Sequence, residues 1–216
     1  CKIVYLPMCL LFLIVPASKF KSRKEGIILK SSLVLICVVL NLSWLALSFN
    51  FLNEVKEGVN GIGQVLFILK NPIRYIVVLL ATTAYYFNFY LHSMVGANLC
   101  LFDVPIYYWI SDVYIFLIIY LAYRNEYFAF GKFDKYVVLF ISASVFLLVN
   151  TSLYVQWTPV GNNYIDGIQG RYFLPLLPFL MFLFKAKKAK NIDKYIIISS
   201  IYLTYPVILT LLLKHI

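Results

Sequence analysis

Between Tyr164 and Pro175, the run Asp166-Gly-Ile-Gln-Gly-Arg171 sets an acid, an amide, two glycines and a guanidinium at the mouth of an apolar segment. A charge held where a bilayer begins costs free energy unless it is paired or used. Arg171 is the sharpest binding candidate, because a guanidinium stays charged and its planar fork matches phosphate or carboxylate. Gln169 and Tyr172 flank it with hydrogen-bonding groups. Gly167 and Gly170 allow the backbone to turn tightly or to approach a ligand closely. The plainer alternative is an ion pair between Arg171 and Asp166 that closes a helix end, although a cap needs fewer groups than this stretch offers.

Two further acids invite a role. Asp103, in Gly96-Ala-Asn-Leu-Cys-Leu-Phe-Asp-Val-Pro105, suits either a helix N-cap or the binding of an acceptor hydroxyl or a metal. Asp112 falls roughly 12 Å into a helix that starts at Val104, at 1.5 Å per residue. An acid at that depth is expected to face the bundle interior and find a Tyr or Asn partner, or to lie on a proton path. Gly58-Val-Asn-Gly-Ile-Gly63 has glycines but lacks the Lys-Ser/Thr of a phosphate loop and a preceding strand, so it reads as a turn before a helix. His92 and His215 are too few and too distant for a metal site. The four cysteines form no C-x-x-C pair. No cofactor is identified, and a divalent metal, while chemically reasonable, has no ligand set to support it.

The surroundings of these residues are those of a membrane. Of 216 residues, 62% are hydrophobic and 13% charged, against about 25% charged in a soluble domain, and the mean hydropathy is +0.86. The net charge of +10 resides in short loops between apolar runs, the positive-inside pattern, and this argues against a nucleic-acid partner. The chain opens at Cys1, already at the edge of an apolar segment. No basic region precedes that segment and no small-residue cleavage site follows it, so it does not read as a signal peptide. The chain is expected to be the C-terminal part of a longer protein, forming a single transmembrane domain over 1–216.

Seven apolar segments can be drawn: 3–15, 31–51, 73–91, 104–123, 136–155, 172–184 and 195–213. Most approach the ~20 residues a helix needs to cross. The Lys/Arg-rich loops at 19–30, 124–135 and 185–194 should all be cytoplasmic. Three apolar segments lie between the first two of these loops, so one must not span. The segment 73–91 follows Asn71-Pro72, carries Arg74, and is rich in Thr, Tyr and Asn, which suits an interfacial or re-entrant helix. Residues 53–103 would then form an extracytoplasmic or interfacial module, with 157–171 on the same side. The segment 172–184 is short, so 167–171 should dip below the headgroups, where irregular backbone survives only in a protein-lined or wet cavity. The expected fold is all-α, a polytopic transmembrane helix bundle of about six spans plus one interfacial or re-entrant helix.

The run Gly161-x-x-Tyr-Ile-x-Gly-Ile-Gln-Gly-Arg-Tyr-Phe-Leu-Pro175, with Lys2-Ile-Val-Tyr-Leu-Pro7, Ile14-Val-Pro16, Gly96 and Asp103-x-Pro105, resembles the bacterial domain-of-unknown-function family 2142 of multi-spanning proteins. The resemblance covers nearly the whole chain. It departs at Cys100-Leu-Phe102, where the family usually carries a second Gly and a Trp. Members are similar to C-type (GT-C) membrane glycosyltransferases, which take sugars from polyprenyl phosphate on the outer face of the membrane. The resemblance therefore implies a multi-pass protein of the bacterial plasma membrane that works in cell-surface polysaccharide assembly. Its implied partners are membrane lipids, a lipid-linked sugar donor and a glycan acceptor. Arg171, Gln169, Gly170, Asp166, Tyr172 and Asp103 would bind substrate, and the catalytic acid would lie upstream of this chain. The alternatives are a transporter or flippase of a lipid-linked envelope intermediate, or a non-catalytic envelope-assembly partner.

Overall fold

The structure, a computed structural model, describes residues 3–48, 58–96, 98–99, 104–105, 107–124, 131–181 and 183. A 3-10 helix over Ile3–Ile14 leads through a short turn into α1 (Arg23–Ser48). Then come α2 (Gly61–Lys70), α3 (Pro72–Met94), the strands β1 (Asn98–Leu99) and β2 (Val104–Pro105), α4 (Tyr108–Arg124) and α5 (Lys132–Gln156). A 3-10 turn over Gly170–Leu176 runs on into α6 (Leu177–Met181). Apart from the two-residue hairpin the described fold is all-α.

Among the described residues, α1 and α5 are long and apolar enough to cross a membrane, and the bent pair α2–α3 makes a third span if counted as one. This is fewer than the six expected from the apolar runs, and the shortfall has local causes. The first run forms a helix of only 12 residues, the apolar part of α4 is Tyr108–Tyr120, and the sixth run is divided between a 3-10 turn and a five-residue helix. The seventh run, 195–213, lies outside the described residues, as does the Lys-rich loop 185–194.

The described residues fall into two compact units, one from Cys1–Ala84 and Gly131–Ile168, the other from Tyr85–Phe130 and Gln169–Ile216. In the first, the N-terminal 3-10 helix packs between α1 and α5. The buried stripe of α5 is Val138, Ile141, Val145, Val149, Asn150 and Tyr154, whose turn-to-turn steps of three and four residues keep it on one helix face. On α1, Leu35, Ile36, Val39 and Leu40 are exposed. So large an apolar surface is stable against lipid rather than water. The Lys30 ammonium closes the end of the 3-10 helix, donating to the carbonyls of Val15 at 2.6 Å and Leu13 at 3.2 Å.

Gly58 adopts a left-handed φ of +81°. Asn60 then caps α2 by accepting the Gly63 N–H at 2.9 Å, so the glycine-rich run is a turn into a helix. α2 ends at Asn71 because Pro72 lacks the N–H that would continue it, while its fixed φ suits the first position of α3. The two helices meet at 108°.

In the second unit, β1 and β2 pair antiparallel, Asn98 opposite Pro105 and Leu99 opposite Val104. Because Val104 and Pro105 are held in this hairpin, α4 starts at Tyr108 and not at Val104. Asp112 is thus only four residues into the helix, roughly 6 Å from its start, at the mouth and not deep within it. It is also exposed, with His92 as its partner, where an interior position beside Tyr or Asn was expected. α6 packs against α4 and the preceding 3-10 turn.

Candidate functional site

The stretch leading to the Gln-Gly-Arg turn is an irregular loop whose backbone is bonded to side chains almost residue by residue. In the first unit, Gly161 donates its N–H to Gln64 Oε1 at 3.0 Å, and the Tyr154 hydroxyl donates to the Asn162 carbonyl at 2.8 Å. Ile165 N–H donates to Thr82 Oγ1 and Asp166 N–H to Thr158 Oγ1, each at 3.0 Å. Arg74, lying over the Phe67 ring, reaches the Gly161 carbonyl and Asn163 Oδ1. Gln64, Thr82, Tyr154 and Thr158 are fully buried. Ile165 is buried while Asn163, Tyr164 and Gly167 are exposed, and side chains from α2, α3 and α5 and from Thr158 supply the partners that helix or sheet would otherwise provide. Gly167 takes a φ of +75° beneath the Trp157 indole, where a Cβ would meet Cδ1 at 2.5 Å. No other residue fits there.

The turn itself belongs to the second unit. Gly170 is buried and lies against the last turn of α3. A Cβ at this position would collide with the Tyr90 carbonyl and come within 2.6 Å of Ser93 Oγ. Its N–H donates to Ser93 Oγ at 2.8 Å, and the Ser93 hydroxyl in turn donates to the Phe89 carbonyl at 2.6 Å. The space left by the missing side chain of Gly170 is therefore taken by α3 itself. One residue on, Arg171 is exposed, while Tyr172 is half-buried. Among the described residues, the Tyr90 hydroxyl and Gln169 Oε1 are buried and find no hydrogen-bond partner. Each such group carries a penalty of about 1–3 kcal/mol.

The turn of α3 that holds Gly170 also holds α4. His92 is buried, its Nδ1 2.6 Å from Ser111 Oγ and its Nε2 3.5 Å from Asp112 Oδ1. Its ring lies 4.7 Å from that of Tyr108. The antiparallel pair β1–β2 lies between α3 and α4 in the chain.

Over residues 1–180 the sequence matches the family described as Predicted membrane protein (DUF2142). The chain belongs to that family. No curated protein and no solved structure matches it.

Of the residues singled out from sequence, the second unit brings Gln169, Gly170, Arg171 and Tyr172 together on one turn. Asp166, half-buried, ends the bonded loop of the first unit. Asp103 lies outside the described residues. Among the described residues no group of three or more His, Cys, Asp or Glu is placed to hold a metal. Sequence reasoning missed Ser93, His92, Tyr90 and Ser111, and it missed Gln64, Thr82 and Thr158 as the loop's supports. One signal was available. Thr82, Tyr90 and Ser93 recur at helical spacing on a single face of α3, and all three are buried, whereas Tyr85 of the same polar segment is 71% exposed.

Proposed function

We propose that this member of the family is a GT-C-like membrane glycosyltransferase that moves a sugar from polyprenyl phosphate onto a cell-surface polysaccharide. The observation that carries the reading is the Gly170–Arg171 step: a glycine locked backbone to backbone on α3, followed at once by an exposed guanidinium. Rigid placement of a fixed positive charge is what a departing phosphate requires, because charge grows on its oxygen as the sugar leaves. Gln169 and Tyr172 beside it offer hydrogen bonds to a hydroxyl-rich substrate. Asp166 and Asp103 are the acids that complete the proposed binding set.

In this reading the protein is a multi-pass protein of the bacterial plasma membrane, with about six spans. The elbow at Asn71 supports a re-entrant or interfacial course for α2–α3, and the polar modules face outward where lipid-linked donors and the growing glycan meet. The test uses full-length protein in membranes and scores both its abundance and the transfer of labelled sugar. Arg171→Leu should leave abundance normal and lower transfer on the order of 10² to 10³. Arg171→Lys should recover little, since a point charge lacks the bidentate fork. If both fall in abundance, and Arg171→Leu combined with Asp166→Leu restores abundance and transfer together, Arg171 is a structural ion-pair partner and the reading fails.

A further inference from the structure

The turn that joins the N-terminal 3-10 helix to α1 carries a charge that the first unit does not use. Lys19, Lys21, Arg23 and Lys24 fall within six residues, and all four are exposed. Among the described residues their side chains make no hydrogen bond, ion pair or ring contact. Between residues 3 and 48 Glu25 is the single carboxylate. Lys30, the fifth cation of the stretch, is turned inward instead, onto the Leu13 and Val15 carbonyls and over the Phe20 ring at 5.6 Å.

The backbone that carries the four cations is fixed. Lys19 N–H donates to the Pro16 carbonyl and Phe20 N–H to that of Ala17, each at 3.1 Å. Ser22 then leads into α1, its Oγ accepting from Glu25 N–H and its carbonyl from Gly26 N–H, again at 3.1 Å. Phe20 folds back onto Gly26, where a Cβ would come within 2.8 Å of its Cδ2. Four like charges are therefore held close together on a short turn. Negative charge alongside relieves their mutual repulsion.

The position of the turn supplies that charge. Ile27, Ile28 and Leu29 are exposed on α1, so hydrocarbon begins there. Arg23 precedes Ile27 by four residues, a rise of roughly 6 Å, and the headgroup layer on one side of a bilayer is roughly 5–7 Å deep. Arg23 and Lys24 thus stand at headgroup level, with Lys19 and Lys21 a few residues away. Long Lys and Arg stems can lie over the apolar boundary while their charges stay among the phosphates.

We propose that this turn is a docking surface for anionic phospholipids, whose headgroup phosphates are held by Lys19, Lys21, Arg23 and Lys24. The bound lipids anchor the N-terminal helix and α1 to the leaflet that the turn faces. The attraction is one of charge, so it adds up cation by cation and weakens with salt. It is independent of the transferase reading.

The experiment uses the full chain, stripped of its four cysteines and given one at Ser18 that carries a fluorophore. The protein is reconstituted in phosphatidylcholine vesicles with a trace of nitroxide-labelled phosphatidylglycerol or nitroxide-labelled phosphatidylcholine. At low salt the anionic lipid should quench more strongly, and the preference should fade as salt is raised. Lys21→Gln and Lys24→Gln, single changes at side chains without partners, should each lower the relative association roughly five-fold. Replacing Lys19, Lys21, Arg23 and Lys24 together by Gln should abolish the preference and leave the melting temperature in detergent unchanged. Equal quenching by the two lipids in the parent protein overturns the proposal. So does a preference that neither single change lowers, because other cations of the chain then hold the lipid. A preference that inorganic phosphate removes at constant ionic strength makes the turn a site for free phosphate, and also overturns it.

Discussion

Gly170 lies directly against α3 at Ser93: the glycine N–H donates to the serine hydroxyl at 2.8 Å, and the Tyr90 carbonyl occupies the place a Cβ would take. This contact holds the backbone one residue before Arg171, so the two residues can be tested before any substrate is known.

Gly170→Ala should damage the protein more than a methyl group ordinarily does, because the atoms in its way are helix backbone and cannot turn aside. The expected loss is about 1–3 kcal/mol or more, read as a lowered melting temperature in detergent. Gly58→Ala is the control. Among the described residues nothing lies within 4 Å of its Cβ position, so the expected cost is that of a left-handed φ, about 1–2 kcal/mol. Equal effects at the two positions would mean that the close approach to α3 contributes nothing.

Ser93→Ala leaves a buried Gly170 N–H without its acceptor, at about 1–3 kcal/mol. Ser93→Cys fills similar space with a weak acceptor and should fall between. Thermal unfolding in detergent ranks the three, and an Ala variant as stable as wild type would show that the N–H finds another acceptor.

The supports of the preceding loop make a matching prediction in the first unit. Thr82→Val and Thr158→Val keep the shape of the side chain and remove the acceptors of Ile165 N–H and Asp166 N–H. Each should cost about 1–3 kcal/mol. Each should also speed the labelling of a cysteine placed at Asn163 by a water-soluble maleimide, because the loop loses its hold on the helices. Unchanged labelling with lost stability would locate the damage elsewhere in the core.

Apolar runs gave away most of the helices, because a chain that cannot leave its carbonyls unpaired in lipid has little choice but helix. The runs 31–51, 73–91 and 136–155 correspond to α1, α3 and α5; α3 and α5 extend beyond their runs by about a turn, and α1 begins more than two turns before its run. What the runs could not convey was where a helix gives way to something shorter. Val104 and Pro105 look like the start of a span, yet they pair with Asn98 and Leu99, and this moves Asp112 to the helix mouth. Arg171, Gln169 and Gly170 were legible because their types are conspicuous beside an apolar run. His92 and Ser111 were not, since their value lies in a contact between α3 and α4 that leaves no local periodic trace. The polar residues of α3 were conspicuous too, but their reading as an interfacial face missed that Thr82 and Ser93 are turned inward to hold backbone N–H groups.

The course of α2 and α3 is the last point, and it decides the topology of everything after it. α2 has 10 residues and α3 has 23, joined at 108°. As one broken span, the pair would put Gly58 and Val95 on opposite sides of the membrane. As a re-entrant or interfacial element, it would return both to the same side. Basic residues favour the second course, because the loops at 19–30 and 124–135 both carry clusters of Lys and Arg and should share the cytoplasmic side. With α1 crossing outward, that rule asks for one return crossing, and in the proposed topology α4 supplies it and α3 does not. Single cysteines at Gly58, Val95 and Asn162, in a background stripped of the four native cysteines, should therefore all react with a membrane-impermeant maleimide in intact cells. A cysteine at Lys21 should react only after lysis. Reaction at Gly58 without reaction at Val95 would make α2–α3 a span, make α2–α3 rather than α4 the return crossing if the charge rule holds, and place the hairpin and His92 on the cytoplasmic side, away from any outward-facing donor.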